Sequence, residues 1–140
     1  MIIKIKYQEG VKPLQKISQG DWIDLAAAED VWLGAGEMCP ISLGVSMELP
    51  EGYEAIVAAR SSTPMVYGII CANSIGIIDN SYCGDGDVWR FPAYAVRPAQ
   101  IKKGDRIAQF RIQRSQPEIE FETVETLDNP DRGGFGSTGR

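Results

Sequence analysis

Apolar and polar residues alternate along most of this chain in short runs, the period-two signature of strands that bury one face. Ile3, Ile5 and Tyr7 alternate with Lys4 and Lys6, and Gly10 and Pro13 end the run. Residues 21–33 are ambiguous, because Ala26, Ala27 and Ala28 favour helix by propensity while Ile23, Leu25, Val31 and Trp32 suit two short strands. The density of strand signals on either side decides for strands, ended by Gly34 and Gly36. Ile41, Leu43, Val45, Met47 and Leu49 recur at every second position, and Pro50-Glu51-Gly52 then predicts a turn into a strand over residues 53–59. An aromatic strand is predicted over 88–96, and a basic turn at 101–106 leads into a strand over 107–112. Glutamates alternate with Ile119 and Phe121 from 118 to 124, which predicts one more. Strand signals at intervals of about ten residues, separated by Gly and Pro turns, predict an all-β barrel or jelly roll. No internal repeat interrupts residues 1–126, which read as one domain, and residues 127–140 read as a flexible glycine-rich arm of that domain.

The stretch 73–85 is the piece the rest is arranged around. It reads as an apolar arm, a turn and a return arm, with glycines towards both ends and one carboxylate, Asp79, in the middle. Glycine lets a backbone approach a ligand closely. Ile77 and Ile78 predict an apolar, buried setting for Asp79, which tunes a carboxylate for base work. Tyr82 offers a flat face beside it. The same residues also fit a plain β-hairpin with an Asn-Ser turn and a solvated Asp79. Arg60-Ser61-Ser62-Thr63-Pro64 sets a guanidinium and three hydroxyls at a strand end, with Pro64 suited to a helix's first turn. That arrangement is suited to hold an anion, and it is equally a capped short helix. Residues 134–139 fit the G-x-G-x-x-G spelling, but a dinucleotide fold needs a further helix and strand after it. The expectation is instead a lid that orders on a phosphate-bearing ligand through backbone N–H groups, with Arg132 and Arg140 as its cations, against the alternative of a disordered tail.

Composition narrows the chemistry. The chain has 140 residues, 44% hydrophobic and 24% charged, as in an ordinary soluble protein. No apolar run approaches the ~18 residues of a membrane span, and the first residues lack a signal peptide's layout, so a cytoplasmic protein is expected. A net charge of −5 argues against a general nucleic-acid binder. The absence of histidine removes Ser-His and Cys-His machinery and every His-ligated metal site. Cys39, Cys71 and Cys83 show no C-x-x-C spacing and read as reduced packing residues. Carboxylates, arginines, hydroxyls and a hard metal ion remain.

Five segments in order resemble the motifs of the trimeric all-β deoxyuridine triphosphatase (dUTPase) family. They are Asp24-Leu25, Arg60-Ser61-Ser62, the stretch from Asn73 through Gly84, Gly104-Asp105-Arg106-Ile107-Ala108-Gln109, and Arg132 through Gly139. The resemblance covers the chain from about residue 21 onward. It implies a distorted jelly roll of the β-clip type, assembled as a homotrimer with shared sites. It also implies Mg²⁺-dependent hydrolysis of dUTP to dUMP and pyrophosphate, which keeps uracil out of DNA and supplies dUMP for dTTP synthesis. Carried onto this chain, Asp79 would deprotonate the water that attacks the α-phosphorus and contact the sugar 3′-hydroxyl. Tyr82 would pack on deoxyribose, and the backbone around Asn73, Gly76 and Ile78 would read the uracil edge. Arg60, Ser61, Ser62 and Gln109 would hold the phosphates, with Ser61 and Gln109 beside Asp79 in the catalytic set. Asp24 would anchor hydrated Mg²⁺, bound chiefly by triphosphate oxygens and water as that ion prefers. Arg132, Gly136, Ser137 and Thr138 would close on the phosphates, and Phe135 would stack on uracil, with Trp89 or Phe91 as alternatives.

The interval between Arg132 and Phe135 is two residues shorter than that family's usual spacing, and residues 87–92 resemble a phage or Bacillus-type branch. Phosphoryl transfer asks mainly for alignment and charge neutralisation, which this residue set supplies without histidine. Two other readings compete. A dCTP deaminase shares the resemblance's fold but needs a glutamate shortly after the serines, and none lies between Ser62 and Asp79. A non-catalytic nucleotide sensor or repressor-binding module would not need a water-activating carboxylate, although a repressor-type protein partner is compatible with catalysis.

Overall fold

A computed structural model describes residues 1–139 of the chain. Strands and turns carry it, and every pairing among the described strands is antiparallel. The largest sheet has four strands in the order β2 (Ile23–Ala26), β11 (Arg106–Arg114), β6 (Tyr53–Ala59) and β8 (Gly76–Ile78). A second runs β4 (Met38–Ser42), β9 (Arg90–Ala95), β7 (Ile69–Cys71). Two ribbons complete the wrap, β1 (Lys4–Tyr7) with β5 (Val45–Glu48) and β3 (Val31–Leu33) with β10 (Ala99–Ile101). One π-helical turn, Thr63–Tyr67, joins β6 to β7 with Pro64 in its first turn, where the missing N–H costs nothing. The all-β expectation and the two strands of residues 21–33 hold.

Alternation along the strands delivers one apolar face per sheet to a single core. Leu25, Val57 and Ile107 from the large sheet meet Ile41, Ile69 and Phe91 from the other, with Ile101 from a ribbon. Each such side chain contributes roughly 1.5–3 kcal/mol by leaving water. Trp89 is wholly buried and stands edge-on to Phe110, with centroids 5.3 Å apart and planes at 89°. Its backbone also ties elements together: Leu43 N donates to Trp89 O (2.9 Å) and Trp89 N donates to Val45 O (2.8 Å).

Four expectations need correction. The alternating run 41–49 is broken at Leu43-Gly44 into β4 and β5, because Gly44 takes φ +70° and redirects the chain. Residues 73–85 are not a self-paired hairpin. The chain leaves β7, turns through Ser74 at φ +68°, and enters β8 in the other sheet, and residues 79–85 form no return strand. Residues 118–124 form no strand, since no partner strand of this chain lies beside them to take their backbone hydrogen bonds; Phe121 stands 92% exposed. Trp89 and Phe91 are core residues with no exposed surface, so neither is available to stack on a base.

Gly44 has no room for a side chain. A Cβ there would sit 2.6 Å from Val11 Cγ2 and 2.8 Å from the Ala28 methyl. Gly44→Ala is expected to cost about 2–4 kcal/mol, summing left-handed strain and overpacking, read as a lower urea midpoint at unchanged slope.

Candidate active site

Antiparallel register places Asp24 of β2 opposite Gln109 of β11, and Gln109 opposite Ala58 of β6. Arg60 follows β6 directly. Its Nε donates to Asp24 Oδ1 at 3.1 Å and its Nη1 to Arg106 O at 3.2 Å, while Arg106 Nη1 reaches Asp24 Oδ2 at 3.0 Å. Gln109 Nε2 donates to Ala59 O at 3.1 Å. Two guanidiniums against one carboxylate leave a net positive charge at this end of the sheet, a setting suited to phosphate oxygens. Both Asp24 oxygens are engaged by arginine, so in this copy the carboxylate that the resemblance gives to hydrated Mg²⁺ orients two cations. Among the described residues no cluster of three or more His, Cys, Asp or Glu could hold a metal ion. The paired guanidiniums at Asp24 suit an anion rather than a bare cation.

Thr63 holds the Arg-Ser-Ser loop. Fully buried, its Oγ1 accepts from Arg60 N (2.9 Å) and donates to Ile107 O (2.9 Å), and its N–H donates to Arg60 O (3.0 Å). Ser61 stays exposed and Ser62 half-buried at the start of the helical turn.

A second group gathers around β8. Asp79 follows Ile78 and is exposed, which corrects the buried setting expected of it: Ile77 points outward at 54% exposure, and β8 lies at the edge of its sheet. Its Oδ1 accepts from Ser81 Oγ (2.5 Å) and Ser81 N (2.8 Å). The Ser81 hydroxyl, then the Ser81 amide, hold the Asp79 carboxyl below its ordinary range, opposite to the effect of burial. Asn80 turns the other way and donates to the carbonyls of Leu49 (3.0 Å) and Pro50 (2.9 Å). Asn73 Oδ1 accepts from the Cys71 thiol at 3.1 Å, and burial pushes that thiol's pKa up, keeping it a donor. Tyr82 is 39% exposed, with its hydroxyl donating to Val88 O at 3.3 Å. Glu54, Asp79, Ser115 and Gln116 line a shallow open cleft of about 340 Å³.

The two groups do not meet within one copy. Ile78 faces Ala55 near the start of β6, whereas Arg60 follows its end. Glu54 beside Asp79 and Arg60 are thus six residues apart on one extended strand, roughly 20 Å at about 3.4 Å per residue. Gly76 and Ile78 lead along β8 to Asp79, with Tyr82 in the turn that follows, while Asn73 sits in the turn before β8; Ser61, Ser62, Gln109 and Asp24 lie with Arg60. Phe135, Gly136, Ser137 and Thr138 lie on the exposed arm in two successive turns with Arg132 just before them, and Arg140 is outside the described residues. Arg106, Asn80 and Ser81 have no role expected from sequence, although Arg106 stands inside the fourth motif and the other two inside the third, and the Thr63 hydroxyl pins backbone rather than facing an anion.

Residues 14–139 match the dUTPase family profile. The chain belongs to the dUTPase family. It is 56% identical over 140 residues, 99% of each chain, to the SPbeta prophage-derived deoxyuridine 5′-triphosphate nucleotidohydrolase YosS of Bacillus subtilis. It is 40% identical over 119 residues, 84% of this chain and 80% of the relative, to the deoxyuridine 5′-triphosphate nucleotidohydrolase of Zymomonas mobilis. In fold it is similar to the dUTPase of Staphylococcus bacteriophage 80alpha, solved with dUpNHpp, at a TM-score of 0.80 and 21% identity over 99% of both chains. It is similar also to the dUTPase of phage phi11 of S. aureus, described with a structural Mg(II) ion, at 0.78 and 19% over 92% of this chain and 100% of the other. The resemblance read from the five motifs is thus confirmed at family level. Among the described residues no helix is long and apolar enough to cross a membrane.

Thr63→Val removes one hydroxyl at nearly constant volume and leaves Arg60 N–H and Ile107 C=O without it. The expected loss is about 1–3 kcal/mol, read by urea unfolding, with the KM for triphosphate rising as Arg60 loosens.

Proposed function

We propose that this dUTPase hydrolyses dUTP to dUMP and pyrophosphate, at sites built between copies of a homotrimer in the cytoplasm. Asp79 takes a proton from water as the water oxygen bonds to the α-phosphorus. The bond to the α–β bridging oxygen breaks, and pyrophosphate leaves with those electrons. Arg60, Ser61, Ser62, Arg106 and Gln109 of a neighbouring copy grip the phosphates. Mg²⁺ arrives on the triphosphate as part of the substrate, neutralising charge that the arginines share. Asp24 is a positioning residue for those arginines. The backbone around Asn73, Gly76 and Ile78 reads uracil, and cytosine would leave its fixed groups unpaired at a penalty of roughly 1–3 kcal/mol each. Tyr82 packs on deoxyribose. The arm supplies Phe135 over the base and Arg132 with the N–H groups of Gly136, Ser137 and Thr138 over the phosphates.

One observation carries the shared site: the strand that bears Arg60 at its end holds Asp79 about six residues away, too far for one copy to align a base with the phosphates it activates. The deaminase alternative finds no support, since residues 63–78 contain no glutamate.

Pyrophosphate release is expected from dUTP with Mg²⁺, and not from dCTP, dTTP or UTP. Asp79→Asn should bind a non-hydrolysable dUTP analogue with little change and lose at least about a hundredfold in kcat. Refolding equal amounts of Asp79→Asn and Arg60→Ala together should recover about a quarter of wild-type activity, because a closed ring of mixed copies contains intact composite sites at that frequency. No recovery would place base and phosphate grip in one copy.

A further inference from the structure

We propose that Ser81 is the positioning residue for the water-activating carboxylate, fixing Asp79 so that Oδ1 faces the protein and Oδ2 is the oxygen that takes the water's proton. This rests on the reading of Asp79 as the base.

An exposed aspartate on a loop is free to rotate about two side-chain bonds, and each rotation misdirects a base. Here Ser81 supplies two donors to one oxygen, its hydroxyl at 2.5 Å and its amide at 2.8 Å. Two bonds converging on Oδ1 set both torsions and leave the other oxygen outside that pair. The loop itself is pinned by its neighbours. Asn80 Nδ2 is tied to the carbonyls of Leu49 and Pro50, Tyr82 N donates to Asp79 O at 3.0 Å, and Tyr82 Oη donates to Val88 O. Asn80 and Tyr82 therefore hold the backbone, and the Ser81 hydroxyl is the side-chain group of the turn that bonds the base carboxylate. Removing it should spare the turn and free the carboxylate.

The hydroxyl also favours the ionised form. It stabilises a charge that is fully present above the ordinary carboxylate range and is lost as pH falls through the lowered pKa. Without it, Asp79 titrates at higher pH, and the acid limb of kcat/KM moves up. Glu54 is the other carboxylate lining the cleft, so the test removes it as well.

The test compares wild type, Ser81→Ala, Ser81→Thr, Glu54→Gln and Glu54→Gln/Ser81→Ala, each with dUTP and Mg²⁺ from about pH 4 to 9. Ser81→Ala is expected to lose roughly five- to twentyfold in kcat with KM within about twofold, and to shift its acid limb upward. Ser81→Thr, which keeps a hydroxyl, should restore both. The upward shift on losing the hydroxyl should persist in the Glu54→Gln background, measured against Glu54→Gln alone. An acid limb that does not move, or Ser81→Thr behaving as Ser81→Ala, overturns the proposal. So does a shift that vanishes in the Glu54→Gln background. Wild type without dUTP turnover would instead overturn the reading of the whole site.

Discussion

Backbone hydrogen bonding along β6 is the constraint from which the rest of the site follows. The strand is held on one flank by β11 from Tyr53 to Ala59 and on the other by β8 from Ala55 to Val57. A strand so fixed cannot shorten, because slipping its register by one residue would turn its buried face outward. Arg60 and Asp79 are therefore kept at opposite ends by the same ladder that makes the sheet. No pair of side chains closes that gap, so the proposed chemistry makes association of copies a condition of catalysis rather than an addition to it.

Around this frame, loops are set by single buried or half-buried polar groups rather than by length of secondary structure. Thr63 satisfies a donor and an acceptor that the end of β6 and β11 would otherwise leave bare. Asn80 Nδ2 gives a donor to the carbonyls of Leu49 and Pro50 at the neighbouring turn. Each bond contributes little net stability, yet leaving its partners unmade costs more than the bond gains. These groups thus locate the loops more firmly than their strength suggests.

The fold class was legible because alternation is a local property: Ile3/Ile5/Tyr7 and Ile41 to Leu49 show their buried face residue by residue. The Arg60-Ser61-Ser62 segment stood out only through the motif order shared with the dUTPase family, because its residues alone fit a capped short helix equally well. What pairs with what was not legible. Nothing near Asn73 says that β7 and β8 belong to different sheets, and the Ile77-Ile78 pair suggests burial that the edge of a four-stranded sheet does not provide. Trp89 and Phe91 looked like candidates for a base because aromatics beside a glycine-rich loop suit both uses. Only their place between the two sheets reveals them as core. Arg106 was hidden for a similar reason: its partner Asp24 lies 82 positions away in sequence and becomes its neighbour only through the β2–β11 register.

An acidic protein that handles a polyanion needs its charges sorted by position. The net charge of −5 repels a triphosphate at long range, but at physiological ionic strength that repulsion fades beyond about 8 Å. Within that distance the arrangement around Asp24 governs, and there two guanidiniums outweigh one carboxylate. Asp24 is costly in charge and useful in geometry, because a bare pair of arginines would repel each other and splay. Replacing it with a neutral residue would raise the local positive charge while losing the alignment that two-point contact with phosphate oxygens demands. On the proposed mechanism Asp79 must stay ionised at the far end, and within one copy Ser81, rather than a cation, lowers its pKa.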